Sequence, residues 1–115
     1  MAGRRPVGYA AAMPPSPVPQ IARLREIGWH LWDPMGLADP HGNWDDHCAD
    51  AYDSYLLNVV SQLQDGWPAA RAAAHLDWIR AEWMGLGAPT AQSLAASRAT
   101  VAAIAAYLES LAGGD

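Results

Sequence analysis

GWPAARAAAHLDWIRAEWMGLGAPTAQSLAASRATVAAIAAYLESLAGG, residues 66–114, reads as two helices with marked starts and stops. Pro68 opens the first, which runs from Ala69 to about Met84 with Ala72, Leu76, Ile79 and Trp83 along one stripe. Gly85 and Gly87 end it. Pro89 and Thr90 start the second, which carries Leu94, Val101, Ile104 or Ala105, Leu108 and Leu111. That segment is Ala-rich, so its intrinsic helix propensity is high, and it stops at Gly113-Gly114. Apolar residues recur at spacings of three and four and never alternate, which points to helices packed on helices.

The same reading extends upstream. A helix from about Asp50 to Gln64 places Tyr52, Tyr55 or Leu56, Val59 and Leu63 on one face, and Gly66 stops it. Another, from about Pro19 to Trp32, aligns Ile21, Leu24, Ile27 or Gly28, and Leu31. Asp33-Pro34 ends it, because a residue before proline avoids the helical region. The connection from Asp33 to His47 is long, and loops of that length are often functional. The expected fold is all-α: a compact bundle of four helices with a long loop between helices 1 and 2.

One domain, residues 19–115, accounts for this pattern, and 1–18 stand apart as a Pro-rich tail. In that tail the apolar run after Arg4 and Arg5 is interrupted by Gly8, then broken by Pro14, Pro15 and Pro17. It is too short for an export signal, and a disordered or polyproline-like segment is expected. No stretch approaches the ~18 apolar residues of a membrane helix. Cys48 is the only cysteine, so no internal disulfide forms, and a lone thiol suits a reducing cytoplasm. These features lead us to expect a cytoplasmic protein.

Charge narrows the partners. The net charge is −5, and every basic residue is Arg. Nucleic acid is disfavoured, because phosphate binding needs a clustered basic face. Anionic membranes are disfavoured for the same reason. Between Arg25 and Arg71 there is no basic residue other than His, while Glu26, Asp33, Asp39, Asp45, Asp46, Asp50, Asp53 and Asp65 all fall there. Within this stretch lies WDPMGLADPHGNWDDHCADAYDSY, residues 32–55, dense in acids, His, Trp and Tyr.

Each acid has a local use to set against a functional one. Asp33 before Pro34 caps a turn, or projects into a cleft lined by Trp32 and Tyr52. Asp39-Pro40-His41-Gly42 is turn chemistry. Asp46, Asp50 and Asp53 share a face if the second helix starts early, where they favour the positive end of its dipole. Their other uses are cation binding or docking of a basic partner. With no Phe in the chain, most tryptophans must supply core volume. Trp44, beside Asp45 and Asp46, is the exception: an interface anchor, or a lid folded back on the core.

His41, Asp45, Asp46, His47, Cys48 and Asp50 include every ligand type zinc accepts, but no spacing matches a recognised zinc pattern. A metal site, if there is one, would use His41, His47 and Asp50. The acids around Cys48 would raise its thiol pKa, the wrong direction for a nucleophile. Ser54 lacks a glycine elbow, and there is no glycine-rich phosphate loop. No catalytic residue and no cofactor is assigned.

The blocks IGWHLWDPMG (27–36), WDDHCADAYDSY (44–55) and LDWIRAEWMGLG (76–87) together resemble the YugE-like family of small bacterial helical proteins, a domain of unknown function. The likeness is carried by Trp32, Asp33, Pro34 and Gly36, then Asp50, Tyr52, Asp53 and Tyr55, then Glu82, Met84, Gly85 and Leu86. It implies a helical fold and Asp33, Asp50 and Asp53 as a shared feature, and it supplies no activity. Ala51 and Arg80 depart from the family pattern, which has acids there.

The expected function is a non-enzymatic, acidic interaction protein, of immunity or regulatory type, that meets a basic protein partner. Its docking residues would be Asp33, Trp44, Asp45, Asp46, Asp50 and Asp53. The alternatives are a metal-binding protein or metal-dependent enzyme using the Asp/His cluster of the loop, and a purely structural motif of caps and core Trp.

Overall fold

The computed structural model describes residues 19–113, and the Pro-rich segment 1–18 lies outside them. Among the described residues there are four helices and no strand. Helix α1, Ile21–Ile27, continues into a π-helical turn, Gly28–Trp32. A 3-10 turn, Asp46–Cys48, interrupts the long loop before α2, Asp53–Gln64. Helix α3, Ala69–Trp78, again ends in a π-helical turn, Ile79–Trp83, and α4 spans Ala91–Ala112.

The local signals explain the boundaries. Thr90 accepts from the Ser93 N–H while the Ser93 hydroxyl accepts from the Thr90 N–H, a reciprocal cap that fixes the start of α4. Gly66, at φ 91°, turns the chain out of α2 in the left-handed region that side chains avoid. Helix α4 then serves as the post on which the others lean, packing against α3, the π turn of α1, and α2. Its buried face is built from Ser97, Thr100, Val101 and Ile104, and α3 meets it with Ala72, Ala73 and Leu76.

The two π turns change which residues face inward. A π turn closes over five residues: the Asp33 N–H donates to the Gly28 carbonyl at 2.9 Å, and the Met84 N–H to Ile79 at 2.8 Å. In α1 this buries Trp29 and Trp32 and leaves Leu31 41 % exposed, whereas even helical spacing put Leu31 inside. In α3 the stripe of Ala72, Leu76 and Ile79 is buried, but Trp83 is turned out to 70 % exposure. The expectation that Trp83 joins the core is therefore corrected.

Gly28 shows how tightly α1 meets α2. Its backbone is ordinary helix, but an added Cβ would lie 2.7 and 2.9 Å from the two methyls of the fully buried Leu56. Gly28→Ala is expected to destabilise the fold by about 1–3 kcal/mol through overpacking, despite the better helix propensity of Ala. In a Leu56→Ala background the same change should be neutral or favourable, because the methyl then enters free space. Urea denaturation of the four proteins in that cycle measures the coupling.

Candidate functional site

The acidic loop is rigidly tied down. Trp29 is 2 % exposed and donates its indole N–H to the Ala49 carbonyl at 3.2 Å. Trp44 lies parallel on it, ring centroids 5.3 Å apart and planes 10° apart. Trp44 is thus half-buried and packs as a lid against the core. From this stack an aromatic row continues inward: Trp29 to Tyr52 at 4.8 Å, Tyr52 to Trp32 at 5.5 Å, and Trp32 to Tyr55 at 6.0 Å.

The aspartates fall into two groups. Asp33 sits at the end of α1 with φ 29°, a strained conformation for a residue with a side chain. Its carboxylate accepts from the Tyr52 hydroxyl at 2.6 Å, the Leu37 N–H at 2.9 Å and the Ala38 N–H at 3.0 Å. Asp53 forms a two-pronged pair with Arg25, at 3.0 and 2.7 Å. This pair raises the Arg25 pKa, and Asp50 adds to the effect. Asp33 and Asp53 are committed to the fold.

Asp45, Asp46 and Asp50 are exposed. Asp45 caps the 3-10 turn, accepting from the His47 N–H and facing its ring nitrogen, both at 3.1 Å. The His47 backbone donor, then its ring, holds the Asp45 carboxyl below the usual range. Asp46 and Asp50 have no ion-pair partner among the described residues. The six residues expected to form one docking patch thus divide: Asp33, Asp53 and Trp44 build the frame, and Asp45, Asp46 and Asp50 face solvent.

Tyr52 is fully buried, and burial, followed by the bond to Asp33, raises its phenol pKa well above the ordinary value. The neutral phenol is the native form, so its contribution is complete below about pH 10, the unfolded value, and is lost as pH rises above it. Absorbance titration of tyrosinate should show one of the four tyrosines ionising only with alkaline unfolding. Tyr52→Phe should remove that late step.

His41, His47 and Asp50 are not brought together: no three His, Cys, Asp or Glu side chains among the described residues are grouped to hold a metal ion. No helix among the described residues is long and apolar enough to cross a membrane.

A surface that helical spacing did not indicate lies across α2 and α3. Trp78 is 53 % exposed and Trp83 70 %. With Ser54, Tyr55, Asn58 and His75 they line a groove of about 400 Å³. The His75 ring stacks on Trp78, with planes 7° apart. Ser54, Leu57, Asn58 and Ser61 are all exposed and follow helical spacing, so one stripe of α2 borders the aromatic groove, and the exposed Asp50 lies in the turn just before this helix. The sequence signal available for this surface was the pair of bulky aromatics flanking Arg80 just before a glycine stop.

Among the described residues, five buried side-chain polar atoms have no partner: Trp32 Nε1, Gln62 Oε1, Asp77 Oδ1, Arg80 Nη1 and Ser97 Oγ. Comparison with family models, curated proteins and solved structures gives no match to this chain.

Proposed function

We propose that this chain is a non-enzymatic, acidic docking protein of the bacterial cytoplasm that binds a basic protein partner across the exposed face of α2 and the end of α3. The observation that carries the reading is the exposed pair Trp78 and Trp83 beside the exposed stripe of α2, with Asp46 and Asp50, which make no ion pair among the described residues, exposed in the turns that lead into that helix. Acids steer a cationic partner and set its orientation. Exposed tryptophans beside them are the residue type that dominates interface energetics, and a Trp face attracts Arg or Lys. The frame beneath is rigid, so little ordering would accompany binding. Kinship with YugE-like proteins belongs to the same proposal, on the Trp32-Asp33-Pro34-x-Gly36 and Asp50-x-Tyr52-Asp53-x-Tyr55 blocks.

The test is retention of partners from the native cell at low and high salt, followed by kinetics with the purified partner. A basic protein held at low salt and released at high salt is expected. Reversing Asp45, Asp46 and Asp50 to Lys, while leaving the structural Asp33 and Asp53 intact, should slow its association on the order of tenfold and flatten the salt dependence. Unchanged association by the reversed protein would remove the proposal.

A further inference from the structure

Helix α4 outruns its neighbours toward its C-terminal end. It spans Ala91–Ala112, whereas α3 with its π turn covers only Ala69–Trp83, and α2 stops at Gln64, before Gly66 turns the chain away. Between the end of α2 and the last turns of α4 lies a groove of about 580 Å³. Its walls include Leu63, Ala105, Leu108 and Leu111, all half-buried, with the exposed Gln64 and Glu109 alongside. None of these residues lines the aromatic groove of Trp78 and Trp83. An apolar groove open at the surface marks a docking place.

The chain brings a segment of its own to this groove. The Gln20 N–H, at the N-cap of α1, donates to the Tyr107 hydroxyl at 2.9 Å. Tyr107 stands one turn before Leu111 on α4, so the chain enters α1 from a point beside the groove. Pro14 to Val18, at the rise of a polyproline helix, would cover about 15 Å, against roughly 9 Å of helix axis from Ala105 to Leu111. Pro19 alone separates that segment from Gln20. Docking is then intramolecular, at an effective concentration on the order of millimolar, and even a weak contact is populated.

Composition fits the same place. From Pro14 to Pro19 only Ser16 and Val18 carry a backbone N–H, so an apolar wall strands few donors. The fixed φ of proline reduces the ordering cost of docking. A polyproline helix has three residues per turn. Pro14 and Pro17 therefore share one edge, Pro15 and Val18 a second, and Ser16 and Pro19 the third. Two edges are apolar, and the third holds the only polar side chain. Charge agrees as well: Glu109 is the one charged residue of the groove, and Arg4 and Arg5 are the only charged residues of 1–18.

We propose that Pro14–Val18 docks in the groove between α2 and α4 of its own chain. It lies there as a polyproline turn with the Pro14/Pro17 and Pro15/Val18 edges inward and Ser16 outward.

The experiment is 13C-edited NOE spectroscopy of the labelled full chain. Contacts are expected from the Leu63, Leu108 and Leu111 methyls to the ring protons of Pro14 and Pro17 and the methyls of Val18, unchanged on dilution. Pro17→Asp should abolish them and move the groove methyl signals, because it presses a carboxylate against an apolar wall beside Glu109. Ser16→Asp places the same charge on the outward edge and should preserve them. Both positions precede α1, so the helical core keeps all of its residues in either variant. The proposal is overturned if the parent shows no such contact, or if the two variants behave alike. It is overturned equally if a mixture of labelled and unlabelled protein shows the contacts running between chains, which would make the occupant a second copy.

Discussion

Trp29→Ala should lower the stability of the domain by about 4 kcal/mol, in the range seen when a buried Trp is truncated. Trp29 is 2 % exposed and touches three separate parts of the structure. It carries the Trp44 lid, packs against Tyr52, and holds the Ala49 carbonyl through its indole N–H. Removing it leaves a cavity, strands a carbonyl, and frees the loop that displays Asp45 and Asp46. Domains of this size are stable by only ~5–15 kcal/mol, so the variant should approach unfolding at physiological temperature. Urea denaturation measures the loss, and near-UV circular dichroism should show the Trp29–Trp44 signal disappear. Trp29→Phe should retain more than half of the stability. A loss for Ala below about 2 kcal/mol would mean the loop does not rest on this residue.

Asp33→Ala is expected to be nearly as damaging, at about 3 kcal/mol. It removes the acceptor from the buried Tyr52 hydroxyl and from two backbone amides. It also asks Ala to hold φ 29°, a conformation that Asp and Asn tolerate better. Two further variants separate these effects. Asp33→Gly loses the hydrogen bonds but not the backbone fit, and should be less harmful than Ala by about 1 kcal/mol. Asp33→Asn keeps one acceptor oxygen and should be mildest. Thermal midpoints report the order, with each kcal/mol worth roughly 4–8 °C in a domain of this size. If Ala and Asn unfold at the same temperature, the carboxylate is not organising the segment that follows.

Where the chain turns was written in local chemistry: Pro68, Gly66, Thr90 and Asp33-Pro34 each mark a boundary that the structure uses. Which face turns inward was not, at two places with one cause. Even helical spacing carries Leu31 and Trp83 into the core, but each lies in a turn that closes over five residues, so neither returns to the buried side. A wide turn is selected by tertiary packing, and the contact of Gly28 with Leu56 is the part of that packing visible here. The acids are similar. Asp45 caps the 3-10 turn through its near neighbour His47, a role not assigned from the sequence, whereas Asp53 is neutralised by Arg25 from another helix, a pairing no local pattern reveals. Trp44 lay beside exposed acids in sequence and against Trp29 in space. Trp78 and Trp83 were grouped with the core because aromatic volume is scarce elsewhere; instead they form the surface on which the functional proposal rests.

That proposal is tested most directly by following the six indole N–H signals of the 15N-labelled full chain during titration with an arginine-rich peptide. The account predicts saturable shifts of the Trp78 and Trp83 indoles and of the Asp50 and Ser54 amides, suppressed by added salt, while the Trp29 indole stays in place. Saturable binding that leaves Trp78 and Trp83 unmoved, or no binding at low salt, would contradict it.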